Sequence, residues 1–114
     1  MKLRELVKQL DLDVLAGKNL LGRNVSGGYV GDLLSDVMAN AKKDNIWITM
    51  QIHQNIVAVA SLKKLAGIII VNGREPEEEA LRKAEEENTP IMLTKLSAFE
   101  IVGGLYKLGI CGTG

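Results

Sequence analysis

Two apolar runs without alternation, IWITM at 46–50 and AGIIIV at 66–71, are separated by NIVAVASLKK at 55–64, whose apolar positions suit a helix. The chain then repeats the alternation. PEEEALRKAEEEN at 76–88 predicts a second helix, PIML at 90–93 a strand, and AFEIVGGLYKLG at 98–109 a last helix. Unalternating apolar strands divided by helices are what a parallel sheet covered on both faces requires. The fold expected is therefore α/β, a three-layer α/β/α sandwich with a mainly parallel central sheet.

The first half is less regular. Leu3, Leu6, Val7 and Leu10 fall at helical spacing, which predicts an amphipathic helix over residues 1–10. LDVLAGKNL reads as a short extended segment broken at Gly17, and the glycines around Val25, Tyr29 and Val30 suggest a short strand near 28–31. Asp32 is placed to cap a following helix whose apolar face is Leu33, Leu34, Val37, Met38 and Ala41.

Later helices carry their own signals. Pro76 suits a first helical turn, the glutamates at 77–79 suit the positive end of the helix dipole, and Glu78–Arg82 and Glu79–Lys83 have ion-pair spacing. Ser97 and Glu100 have the spacing of a capping box. Gly103 and Gly104 inside the last helix each cost about 1 kcal/mol relative to alanine, which implies close packing there or an early end to the helix.

The helix at 55–62 has almost no polar face until Lys63 and Lys64. A covering helix normally offers water a charged side. Either neighbours within the domain cover it or a second copy does, and a homodimer in which Ile56 and Val59 touch the partner is the expectation carried forward.

Composition narrows the classes. A chain of 114 residues is a single domain, with residues 110–114 expected as a flexible tail. Fourteen basic and fourteen acidic residues remove the long-range field that draws proteins to nucleic acid or anionic lipid, so neither partner is expected. No apolar run approaches the ~20 residues of a membrane span, the start is a charged helix with no signal-peptide core, and the expected location is cytoplasmic. Cys111 is the one cysteine, which agrees with a reducing compartment.

In open parallel sheets, ligands gather outside the carboxyl ends of the strands, where helix N-termini offer free N–H groups. That rule selects Gln51, His53, Gln54 and Asn55 after one strand, Asn72, Gly73 and Arg74 after the next, and Thr94 and Lys95 after the third. The set suits a phosphate, a carboxylate or a nucleotide. Neither the phosphate-loop pattern nor the dinucleotide glycine pattern occurs, and one histidine and one cysteine do not make a transition-metal site, so no cofactor and no metal are expected. His53 is the only histidine, and a small enzyme using it as general acid or base is the alternative to a binding module.

The run ITMQIHQNIVAVASLKKLAGIIIVNGREPEEEALRKAEEENTPIMLT follows the order and spacing of the DRTGG domain, which the chain resembles from about residue 10 to 110. That family occurs beside CBS domains in inorganic pyrophosphatases, in phosphotransacetylase-like proteins and in the N-terminal region of HPr kinase/phosphorylase. Where it has Gly-Asp-Arg, this sequence has Gln51, Ile52 and His53; where it has Thr-Gly-Gly, it has Asn72, Gly73 and Arg74. Only Gly73 is retained. The resemblance implies a non-catalytic regulatory or protein-interaction module, often contributing to dimer contacts and here able to take a small anion or nucleotide. No kinase activity is expected, and a pure scaffold for a partner protein is a further alternative.

Overall fold

The structure, a computed structural model, describes residues 1–113. The elements run α1 (Leu3–Gln9), β1 (Asp13–Ala16), a 3-10 turn (Lys18–Leu20), β2 (Gly27–Val30), α2 (Leu34–Asn40) and β3 (Asn45–Thr49). They continue with α3 (Asn55–Lys63), β4 (Gly67–Ile70), α4 (Glu78–Glu86), β5 (Ile91–Leu93) and α5 (Ala98–Lys107). The strands form one sheet in the order β1-β5-β4-β3-β2, parallel throughout except where β1 pairs antiparallel with β5.

From β2 to β5 each new strand is added on the same side of the last. Right-handed crossovers then place α2, α3 and α4 on one face. Their side chains Val37, Ile56, Val57, Ala60 and Ala84 pack with Trp47, Ile68, Ile70 and Ile91 of the sheet. α1 and α5 cover the opposite face, where Leu3, Leu6, Ile101 and Leu105 meet Ile46, Ile48, Ile69 and Met92. Strand residues thus alternate between two apolar layers. That is why IWITM and GIIIV show no alternation of apolar and polar positions and why the three-layer reading holds.

Several local expectations change. Pro76 lies just ahead of the N-cap Glu77 rather than in the first turn of α4. The ion pairs of α4 are Arg82 with Glu79, three apart, and Lys83 with Glu87 at 3.4 Å, in place of the two pairs expected. Ser97 and Glu100 do form the capping box of α5. α5 runs through both glycines: a Cβ on Gly104 would stand 2.7 Å from Leu10 Cδ2, so that glycine lets α5 close on the end of α1. Where a tail was expected, Ile110 is buried and the Gly28 N–H donates to the Gly112 carbonyl along the edge of β2.

Candidate functional site

The carboxyl ends of β2, β3, β4 and β5 share one rim, and the loops that leave them differ in how they are held. After β2, Asp32 does not cap α2. The N-cap is Leu33, with no side-chain cap, and the Asp32 carboxylate turns across the sheet instead. Its Oδ1 accepts from the Thr49 hydroxyl at 2.8 Å and from the Met50 N–H at 2.8 Å. Thr49 is 2% exposed, so its hydroxyl proton has found the acceptor that burial demands. Two strand ends are pinned together by one side chain.

Gln51 belongs to the same network. Its N–H donates to Thr49 Oγ1 at 3.2 Å and its Nε2 donates to the Asp32 carbonyl at 2.9 Å. His53 is exposed, one residue ahead of the N-cap Gln54, and its Nδ1 accepts from the Asn55 N–H at 3.1 Å. Its carbonyl accepts from the Ile56 N–H. His53 therefore serves the start of α3 twice, and its Nε2 is the ring nitrogen left for a ligand. The neighbouring loop reaches the next helix where the Glu77 N–H donates to the Ile52 carbonyl.

Between β4 and β5 the connections part: β4 feeds α4 on one face and β5 feeds α5 on the other. A crevice at such a point is the usual ligand site of an open α/β sheet. Here it is laced shut by backbone. Asn72 donates its N–H to the Leu96 carbonyl at 2.9 Å, and Gly73 donates to the Thr94 carbonyl at 2.8 Å. Both donors sit in left-handed conformation, φ 62° and 65°. Thr94 is buried, and its hydroxyl accepts from the Leu96 N–H at 3.1 Å.

Arg74 and Lys95 are exposed, and neither forms an ion pair among the described residues. A Cβ on Gly73 would lie 3.8 Å from Lys95 Cγ, so the Lys95 stem passes beside that turn. Beyond it opens a hollow of about 440 Å³ at the β5 end of the rim, lined by Leu10, Asp11, Asp13, Leu93, Thr94, Lys95 and Leu96. A much smaller cavity of about 70 Å³ sits between Asp32, Thr49, Met50, Asn72 and Ala98. Sequence reasoning placed Thr94 and Lys95 on the rim but not Asp11 and Asp13, which it read as turn residues. Their approach depends on the antiparallel pairing of β1 with β5, which no local spacing signals.

Ile56 and Val59 lie elsewhere. They are 1% and 9% exposed within the single chain, packed in the layer that α2, α3 and α4 share. α3 is flanked on both sides by helices of its own domain, and this accounts for its apolar character without a second copy. Leu62, at 71% exposure, is its one large apolar residue facing water.

No cluster of three histidine, cysteine, aspartate or glutamate side chains that could hold a metal occurs among the described residues. No helix there is long and apolar enough to cross a membrane. The architecture is that of a three-layer α/β/α domain with a polar rim bearing two free cations.

Comparison with known proteins places it further. The chain belongs to the DRTGG domain family, which matches residues 5–108. Its fold is similar to a crystal structure of the CBS and DRTGG domains of the regulatory region of Clostridium perfringens pyrophosphatase, complexed with the activator diadenosine tetraphosphate. The TM-score is 0.68 at 16% identity, over 90% of this chain and 44% of that one. At that identity the likeness is one of fold, and this chain spans less than half of the neighbour's length. No curated protein matches the sequence.

Proposed function

We propose that this domain is a non-catalytic regulatory or protein-interaction module, that it binds a nucleotide or other small anion at the carboxyl rim of its sheet, and that it works as a homodimer. The observation that carries the ligand reading is the hollow of about 440 Å³ beside Thr94 and Lys95. Its size lies within the ~300–1,000 Å³ range of small-molecule sites. Lys95 offers a cation to a phosphate, and Asp11 and Asp13 offer acceptors to ribose hydroxyls. The regulatory region with the similar fold is held in complex with a dinucleoside polyphosphate, which supports the same ligand class. His53, Gln51, Asn72, Gly73 and Arg74 would then border the ligand along the rim rather than enclose it.

Titration of the labelled chain by NMR with AMP, diadenosine tetraphosphate and inorganic phosphate tests this. Amide shifts are expected at Gly73, Thr94 and Lys95, with Lys95→Ala weakening the response at least about tenfold, in line with the loss of one charge-assisted phosphate contact. A rim that ignores all three compounds at millimolar concentration overturns the ligand reading. The chain should neither hydrolyse ATP nor phosphorylate HPr. Turnover above that of a His53→Ala control would instead favour an enzyme.

A further inference from the structure

α5 shows water an apolar stripe. Phe99 is 90% exposed and Tyr106 56%, and between them Gly103 is exposed with nothing within 4 Å of the position its Cβ would take. Positions 99, 103 and 106 stand one above the other on a helix. Gly104 has an intrachain reason in the side chain of Leu10, whereas Gly103 has none. A glycine in mid-helix that the chain's own packing does not require, flanked one turn away on each side by exposed aromatics, fits close approach from outside.

Beside the stripe, between α5 and the edge strand β2, lies an apolar groove lined by Val30, Ile48, Val102, Leu105, Tyr106 and Ile110. Its cavity of about 150 Å³ matches the size of apolar cavity known to accept a benzene ring. The same helix carries Glu100 near its start and Lys107 at its end, both exposed. Glu100 engages Ser97 through Oε1, which leaves Oε2 without a partner among the described residues.

We infer that α5 is a homodimer contact: two copies cross antiparallel at Gly103, each Phe99 ring fills the groove between α5 and β2 of the other copy, and Glu100 of one faces Lys107 of the other. A two-fold axis through the glycine pair brings position 99 of one helix beside 106 of the second and position 100 beside 107. One operation thus satisfies the ring, the groove and the charge pair. Antiparallel helices also align their dipoles favourably. This deepens the homodimer reading above and rests on it, while differing in place from the contact expected at Ile56 and Val59, which the domain itself covers.

Sedimentation equilibrium of the full chain at micromolar concentration tests it, alongside three variants. The unaltered chain should be a dimer. Phe99→Asp and Gly103→Leu should each weaken self-association on the order of a hundredfold, as removal of a central anchor does, while the emission of buried Trp47 reports an unchanged fold. Gly103→Cys in a Cys111→Ser background should form an interchain disulfide under mild oxidation, because the crossing brings the two backbones within bridging distance. A dimer that survives both of the first two variants and does not cross-link overturns this surface but keeps the homodimer. A chain that is monomeric unaltered overturns both. If that monomer loses AMP binding on Phe99→Asp, the stripe belongs to the ligand instead.

Discussion

Asp32→Ala should destabilise the domain by removing the acceptor that joins two strand ends. Thr49, 2% exposed, would keep the bond it accepts from Gln51 but lose the one it donates, and a buried donor left unpaired costs about 1–3 kcal/mol. The Met50 N–H adds little, since Met50 is 39% exposed and water can replace the carboxylate there. A loss of about 1.5–3 kcal/mol is expected, a fall in melting temperature of roughly 5–12 °C for a domain of this size. Asp32→Asn retains an oxygen at the same place and should lose under about 1 kcal/mol, the charge assistance alone. Urea unfolding followed by the emission of Trp47, the single tryptophan and fully buried, gives both numbers. Thr49→Val closes a double-mutant cycle, because without the hydroxyl the removal of Asp32 orphans nothing buried. If Asp32→Ala lies within about 0.5 kcal/mol of the unaltered chain, or if the two variants simply add, the rim is not held this way.

Three further outcomes follow from particular contacts. The Tyr29 hydroxyl donates to Asp36 Oδ2 at 2.5 Å, and loss of that bond on ionisation, with partial burial and the Asp36 charge in the same direction, holds the phenol above its ordinary 10. Its stabilising contribution is therefore complete below pH 10 and lost as pH rises through the raised value; absorbance titration of tyrosinate in a Tyr106→Phe background should show late ionisation that Asp36→Asn returns towards normal. Gly17→Ala should cost at least about 2 kcal/mol in urea unfolding, since φ is 76° and the new Cβ would stand 2.7 Å from Pro90 Cα; a neutral result would mean the turn moves freely. Ile56→Ala should cost about 2–4 kcal/mol, as a 1% exposed residue in a packed layer, while leaving the sedimentation behaviour of the folded chain unchanged; selective loss of the dimer would return the interface to α3.

Legibility differed between the halves of the chain. From residue 46 the elements could be read almost to their ends, because strands buried on both faces and helices of ordinary length leave contrasting patterns. The apolar helix α3 was recognised, but its cover was not. A sequence window shows that a helix lacks a polar face without showing that two neighbours, α2 and α4, close over it. Asp32 was legible as a cap candidate by position alone. What it does instead depends on β2 and β3 lying side by side with Gly27 opposite Asn45, a register that sets the Asp32 carboxylate over the end of the next strand. The exposed Phe99 escaped notice for a related reason: AFEIVGGLYKLG reads as one apolar helix, and only the packed structure shows which of its apolar residues the core has not taken.

The same distinction bears on the one signature residue the chain retains. Gly73 lies in a left-handed turn with its N–H given to the Thr94 carbonyl, and the preceding Asn72 N–H is given to Leu96. Neither donor is free to meet an anion, so retention of this glycine is explained by turn geometry, without any contact to a ligand. On the other half of the rim, Asp32 and Thr49 consume one another and Gln51. Among the groups the rim leaves unpaired are two exposed cations, the Arg74 guanidinium and the Lys95 amine. Exposed cations of this kind bind through contacts that salt screens over about 10 Å at 0.1 M, whereas a backbone cradle would hold phosphate with fixed donors largely sheltered from solvent. Nucleotide binding at this rim should accordingly weaken steeply between low and high salt. A response insensitive to salt would place the ligand on fixed backbone donors instead of these exposed cations.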